Sequence, residues 1–141
     1  MKHPATPVQS TVHVARPPLV VWWAVWLGLL AGAIVIYTVF LARRPPIEAP
    51  WGAIEFIACG QVALSAAIRW LALPRFREPP RAFPIFIVGL ALAEGAAILG
   101  IFLSAYATEL FVLGMLGMMQ FVPFFAARLL RPAEDGFRPR G

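Results

Sequence analysis

Glu94, Gln61 and Gln120 are the side chains with the clearest chemical potential in this sequence, because each lies near the middle of a long apolar run. A carboxyl group can bind and release a proton. An amide can donate a hydrogen bond to a carboxylate, accept one from the protonated acid, or offer its oxygen to a small hard cation. Together these residue types predict a proton-binding or ion-binding site formed between helices.

The amino-acid composition indicates whether water or lipid surrounds such a site. Of the 141 residues, 60% are hydrophobic and 13% are charged, whereas a soluble domain usually has about a quarter charged residues and less than half apolar ones. We therefore expect an all-α integral membrane protein surrounded by the lipid bilayer. As a helix, the apolar run 19–42 would be roughly 36 Å long, enough to cross a hydrocarbon core of about 30 Å with some tilt.

The pattern of apolar runs, prolines and charges predicts one transmembrane domain over residues 19–131, with four transmembrane helices. The predicted segments are a disordered N-terminal tail (1–18), helices at about 19–42, 51–73, 83–106 and 109–130, and a flexible C-terminal tail (132–141). Pro123 is expected to kink the fourth helix or to free a backbone carbonyl near Met119.

The basic residues predict the orientation of the helices. Only Arg43 and Arg44 lie on one side of the predicted membrane, and the other ten of the twelve lysines and arginines lie on the opposite side: Lys2, Arg16, Arg69, Arg75, Arg77, Arg81, Arg128, Arg131, Arg138 and Arg140. The positive-inside rule then places both termini and the central loop in the cytoplasm. We expect a multi-pass protein of the bacterial inner (cytoplasmic) membrane.

Glu94 is expected near the midplane, about eleven residues or roughly 16 Å into the third helix. A charged carboxylate at that depth costs at least a few kcal/mol, and desolvation favours the neutral acid. Gln61 is expected within about one helical turn of the same height. The site could be a static hydrogen bond between helices, an exchangeable proton or ion site, or a pocket for another ligand.

Two other charged side chains are expected closer to the membrane surface. Glu55 lies near the start of the second helix and should reach water at the interface. Arg69 lies about one turn inside the far end of the same helix and should extend its guanidinium toward the headgroups.

Several functional classes are excluded by missing residue types. Cys59 is the single cysteine, and both histidines, His3 and His13, lie in the polar N-terminal tail. The sequence has no HExxH, GxxxxGK[ST], GxGxxG or GxSxG motif, so we predict no metal site, no cofactor and no catalytic residues, and do not expect enzymatic activity of its own. Nucleic-acid binding is not expected either, because the arginines cluster at the ends of the apolar runs.

Small residues at four-residue intervals predict where helices approach closely. The three stripes are Gly28 and Gly32 in the first helix, Cys59, Ala63 and Ala67 in the second, and Gly89, Ala93 and Ala97 in the third. We expect the second and third stripes to face each other in a tight hairpin. The first stripe is expected to pack inside the chain, with self-association as the alternative.

The stretch 87–101, which reads IVGLALAEGAAILGI, resembles the carboxylate-bearing helix of the rotary ATP synthase c subunit. The preceding Arg75–Pro80 segment is similar to the polar loop of that family, and the resemblance covers about residues 52–105. The first and fourth helices have no counterpart in the hairpin of the family. The resemblance implies that Glu94 is the proton- or ion-carrying acid and that Gln61 is the glutamine found beside it in sodium-binding members.

We therefore predict a small polytopic membrane protein that handles protons or cations through Glu94, with Gln61 and Gln120 tuning the site. The alternative is a non-catalytic structural or assembly subunit of a membrane complex, in which a contact between Glu94 and Gln61 fixes helix register. Either prediction implies a homo-oligomer or association with other membrane subunits.

Overall fold

A computed structural model of the chain describes residues 17–40 and 50–130. The helices are α1 (Leu19–Phe40), α2 (Ala53–Ala67), α3 (Pro79–Leu103), α4 (Ala107–Met119) and α5 (Phe124–Leu129). A π-helical turn, Ile68–Ala72, and a 3₁₀ turn, Leu73–Arg75, extend α2 without a break.

The predicted all-α class is confirmed for the described part of the chain, which contains four helical segments long and apolar enough to cross a membrane. These spans are Leu19–Phe40, Ala53–Arg75, Pro79–Leu103 and Ala107–Leu129. The predicted C-terminal tail, the predicted N-terminal tail up to residue 16, and Arg43 and Arg44 lie outside the described residues.

Neighbouring spans run in opposite directions, as contacts at the two ends of the bundle show. At one end, Trp22 of α1 packs on Phe83 of α3 and Phe125 of α5. The second span finishes at the same end, with Arg75. We call this the arginine end. At the opposite end, Tyr37 of α1 stacks on Phe111 of α4 with ring centroids 4.0 Å apart.

The third span is the centre of the bundle. Ten residues of α3 are buried, compared with three of α1. At the arginine end, its Phe86 lies in an aromatic cluster with Trp22, Phe121 and Phe125. Further along, α3 packs closely against both α2 and α4. Residues on the outward faces of α1 and α2 are largely exposed, as expected for surfaces that meet lipid.

The limits of α3 differ from the predicted 83–106. The helix begins at Pro79 because proline is well accommodated in the first turn, where its missing N–H would have had no helical partner. It ends at Leu103, since Ser104 takes an extended conformation and its hydroxyl bonds to another helix.

Small residues bring α3 against α4 rather than against the predicted stripe of the second helix. A Cβ atom at Gly114 would lie 2.7 Å from both the Ala93 carbonyl oxygen and the Ala97 Cβ. One at Gly89 would collide with the ring of Phe121. Ala63 of α2 is exposed. The close helix crossing expected for Ala93 and Ala97 therefore involves the fourth span. Gly89 contacts both neighbours, since its carbonyl oxygen also accepts a 2.7 Å hydrogen bond from the Ser65 hydroxyl of the second span.

The first helix does not use its glycines for packing inside the described part of the chain. A Cβ atom built at Gly28 or Gly32 would meet no described atom within 4 Å. The buried residues of α1 are Trp22, Trp26 and Ala33, on another side of the helix. The expectation of internal packing through Gly28 and Gly32 is therefore not met in the described part of the chain, which leaves this face open.

Candidate functional site

Glu94 lies in the interior of α3, nine residues from its last residue, Leu103. Its side chain is partly buried, at the margin of the helix face that carries Leu90 and Ala93, both fully buried. Within residues 17–40 and 50–130, the carboxyl group forms neither a hydrogen bond nor an ion pair. The helix begins at Pro79, so Glu94 lies fifteen residues beyond its start instead of the expected eleven or so, still in the interior of the helix.

Gln61 lies beside α3 but is directed at Gly95 instead of Glu94. A Cβ atom at Gly95 would lie 3.5 Å from the Gln61 side-chain oxygen. Successive residues of an α-helix point about 100° apart, so the Glu94 side chain leaves the helix in another direction. The Gln61 side-chain oxygen is buried and accepts no hydrogen bond from a described residue. The two groups share a height, as predicted, without bonding to each other.

Gln120 belongs to a different cluster, nearer the arginine end. Its backbone oxygen accepts a 2.6 Å hydrogen bond from Arg69 Nε, and its side-chain oxygen accepts a 2.9 Å bond from Trp70 Nε1. The neighbouring Phe121 packs against Gly89, about one and a half turns from Glu94 along α3. The structure therefore does not bring Gln120 to the predicted site.

The fourth span is interrupted between Met119 and Phe124, which confirms the effect expected of Pro123. Proline has no N–H to continue the helix, so carbonyls of the preceding turn need other donors. Trp26 Nε1 donates to the Met118 oxygen at 2.9 Å, and Arg69 donates to the Gln120 oxygen. Backbone N–H groups of the tightened turn also donate, Phe121 to the Met118 oxygen at 3.0 Å and Val122 to the Met119 oxygen at 3.3 Å. This turn and side chains of two other spans together satisfy the interrupted backbone, as a helix break at membrane depth requires.

The guanidinium of Arg69 bonds to another span of the bundle, whereas the sequence predicted only that it would extend toward the headgroups. Besides its bond to Gln120, its guanidinium carbon lies 4.8 Å from the centre of the Phe125 ring and 5.2 Å from that of Trp70. The side chain starts in the π-helical turn, an irregularity that often accompanies functional positions in helices.

Glu55 is buried, and the expectation that it reaches water is wrong. Only 5% of the residue is exposed. One carboxylate oxygen accepts a 2.8 Å hydrogen bond from the Gly52 N–H, and the other accepts a 2.5 Å bond from the Ser104 hydroxyl. The Ser104 oxygen in turn accepts from the Tyr106 N–H at 2.9 Å. This network joins the start of α2 to the turn between α3 and α4.

The sequence contained one usable signal for this network. A glutamate at the third position of a helix commonly caps the backbone N–H just before the first turn. That pattern identifies the bond between Glu55 and Gly52. The bond to Ser104 depends on the packing of two spans and has no local sequence signal.

Comparison of the chain with protein-family models, with curated proteins and with solved structures finds no match. The candidate site consists of the Glu94 carboxyl, which has no partner among the described residues, in the interior of the central helix, and the buried amide oxygen of Gln61 beside that helix.

Proposed function

We propose that this multi-pass membrane protein binds and releases a proton at the Glu94 carboxyl. One observation carries the proposal: Glu94 lies inside a membrane-spanning helix, partly buried, without a hydrogen-bonding or ionic partner in the described residues. A charged carboxylate in such a place is costly, whereas the neutral acid is tolerated. Intramembrane carboxyl groups of this kind commonly serve proton relays.

The positions of the amides favour a proton over a metal cation. A hard cation needs several oxygen ligands converging on one point. Gln61 is directed at Gly95, and both oxygens of Gln120 accept hydrogen bonds from Arg69 and Trp70. A proton needs only the carboxyl itself, so the arrangement supports proton binding without the two amides.

Release of the proton at neutral pH requires a change in the surroundings of Glu94. The carboxyl lies at the margin of the buried face of α3, where another chain could approach it. A cationic side chain or a water-filled path brought to this margin would favour the carboxylate. The resemblance of residues 87–101 to the carboxylate helix of the ATP synthase c subunit supports the same cycle, and we extend the proposal to the bacterial inner membrane with both termini in the cytoplasm.

The alternative function is that of a structural or assembly subunit of a membrane complex. The open face at Gly28 and Gly32 favours it, because close approach of another helix is the usual use of such spacing in lipid. In that case Glu94 would accept a permanent hydrogen bond from the partner and would not exchange its proton.

Labelling with a lipid-soluble carbodiimide tests the proposal. The reagent needs a protonated carboxylic acid and partitions into apolar surroundings, so at neutral pH it should modify Glu94 and spare the exposed Glu78 and Glu109. Peptide mass spectrometry of the full chain in mild detergent measures the modification at each position. The Glu109→Gln variant is the matched control and should label as the wild type does.

Labelling spread evenly over the glutamates would mean that Glu94 is in water and would refute proton binding within the membrane. Absence of labelling at Glu94 in the isolated chain, over the whole pH range in which it remains folded, would also refute it. Native mass spectrometry separates the alternative function, because an assembly subunit should be isolated with a defined set of other subunits.

A further inference from the structure

A groove at the arginine end combines positive charge with an apolar floor. It has a volume of about 330 Å³ and lies between the end of the second span, the following turn and α5. Its lining includes Arg69, Arg77, Arg128, Leu73, Phe76 and Phe125. We propose that this groove binds an anionic phospholipid, with the phosphate on the arginines and an acyl chain along the apolar floor.

The charge of the groove is not balanced by the described part of the chain. None of the described residues that line it is acidic. The nearby Glu78 forms an ion pair with Arg81 at 3.2 Å, so its charge is already compensated. Three guanidinium groups without a carboxylate at one end of a membrane-spanning bundle are complementary to a phosphodiester.

Arg69 is oriented in advance for such a ligand. Its Nε is fixed by the Gln120 carbonyl, and its guanidinium lies over the Phe125 ring. Its two terminal nitrogens have no hydrogen-bond acceptor among the described residues. A guanidinium held in this way presents parallel N–H groups, which bind two oxygens of one phosphate with little further loss of side-chain freedom.

The depth of the groove favours a lipid over a soluble anion. Arg69 precedes the end of its span, Arg75, by six residues, or roughly 9 Å. Arg77 and Arg128 are exposed nearer the end of the bundle. Leu73, Phe76 and Phe125 provide apolar surface beside them. An amphiphile with a phosphate at the headgroup level and hydrocarbon below it matches both parts of the groove.

Native mass spectrometry of the full chain in mild detergent, with added phosphatidylglycerol or phosphatidylcholine of identical acyl chains, tests the proposal. The wild type should retain one phosphatidylglycerol in clear preference to phosphatidylcholine. The Arg77→Gln/Arg128→Gln variant should lose this preference by about tenfold or more, since each basic residue near an anionic lipid contributes roughly fivefold in affinity. Both substitutions are at exposed positions, and thermal unfolding should confirm an intact fold.

Two single variants form the matched pair, because each removes one positive charge at the same end and only Arg77 lines the groove. Arg77→Gln should weaken the preference by about fivefold, and Arg75→Gln, the control, should keep it within about twofold. Equal losses in the two variants would show only diffuse attraction to charge and would overturn the proposal, as would a wild type without preference. Displacement of the lipid by excess inorganic phosphate would also overturn it, because the groove would then bind phosphate alone.

Discussion

Two glutamates inside the spans illustrate opposite ways of placing a carboxyl group in a membrane. Both oxygens of Glu55 accept hydrogen bonds, from Gly52 and Ser104, so burial is compensated within the chain. Glu94 has no such compensation in residues 17–40 and 50–130. The first arrangement fixes helix positions, whereas the second leaves a group that can change its protonation state. This contrast is the main support for the proposal that Glu94 binds and releases a proton.

The separation of Gln61 from Glu94 leads to a specific expectation for Gln61→Leu. Because the amide faces Gly95 and its oxygen is buried without a donor, removing it should leave carbodiimide labelling of Glu94 unchanged across pH. The free energy of unfolding should stay the same or rise, since an apolar group replaces an unsatisfied polar one. A shifted pH dependence of labelling would show that the amide does contact the acid.

The two buried tryptophans of α1 provide a matched test of the helix break. Trp22 and Trp26 are 0% and 6% exposed, but only Trp26 donates a hydrogen bond, to the Met118 carbonyl. The Trp22 Nε1 is buried without a partner in the described chain.

Each tryptophan replaced by phenylalanine loses a similar volume, so the difference between the variants reports their N–H groups. Trp26→Phe removes a hydrogen bond, whereas Trp22→Phe removes a buried donor that has no acceptor among the described residues. Trp26→Phe should lower the free energy of unfolding by about 1 kcal/mol more than Trp22→Phe. Thermal or chemical unfolding in the same detergent measures both. Equal losses would mean that the Met118 carbonyl does not depend on Trp26.

The crossing of α3 and α4 depends on the absence of a side chain at Gly114. Gly114→Ala would place a methyl group 2.7 Å from the Ala93 carbonyl oxygen, so the two helices must move apart. We expect a loss of about 1–3 kcal/mol in stability. Gly60→Ala is the control, because its new methyl meets no described atom within 4 Å, and it should be neutral or gain up to about 1 kcal/mol.

Detergent melting curves decide between these outcomes. A Gly114→Ala variant as stable as Gly60→Ala would contradict the close crossing. The same measurement on Gly28→Ala should resemble the Gly60 control if the open face of α1 meets only lipid. A loss of stability there would instead indicate that the face packs on another chain.

The long apolar runs were sufficient to predict the four spans, because hydrophobic length is a property of each segment alone. They also placed Glu94 and Gln61 at similar heights, since height follows from counting residues along two helices. The rotation of each helix about its own axis could not be predicted by counting residues. It determines that Gln61 meets Gly95, that Ala93 and Ala97 meet Gly114, and that Gln120 bonds to Arg69.

Irregular backbone explains the remaining differences. Pro123 predicts a break in the fourth span, but it does not predict which groups donate hydrogen bonds to the freed carbonyls. The π-helical turn at Ile68–Ala72 has no comparable signal in the sequence, yet Arg69 and Trp70, which both bond to Gln120, belong to it. Such side chains depend on the three-dimensional arrangement of several spans.

Polar groups lie at three levels along the length of the bundle. The arginine end carries the cationic groove and the satisfied helix break, and the opposite end carries the closed network of Glu55 and Ser104. Glu94 lies between them in the central helix. A proton site at this level would be insulated from both ends, so release at neutral pH requires a partner chain or a conformational change that opens a path, whereas alkaline pH drives the deprotonation of the isolated chain at equilibrium.

Infrared difference spectroscopy of the full chain in lipid, between neutral and alkaline pH, measures the central claim most directly. We predict a carboxylic acid C=O band that is present at neutral pH, disappears on alkalinisation, returns on reversal, and is missing in Glu94→Gln but retained in Glu109→Gln. The contradicting result is a difference spectrum that Glu94→Gln leaves unchanged, which would show that Glu94 does not exchange a proton.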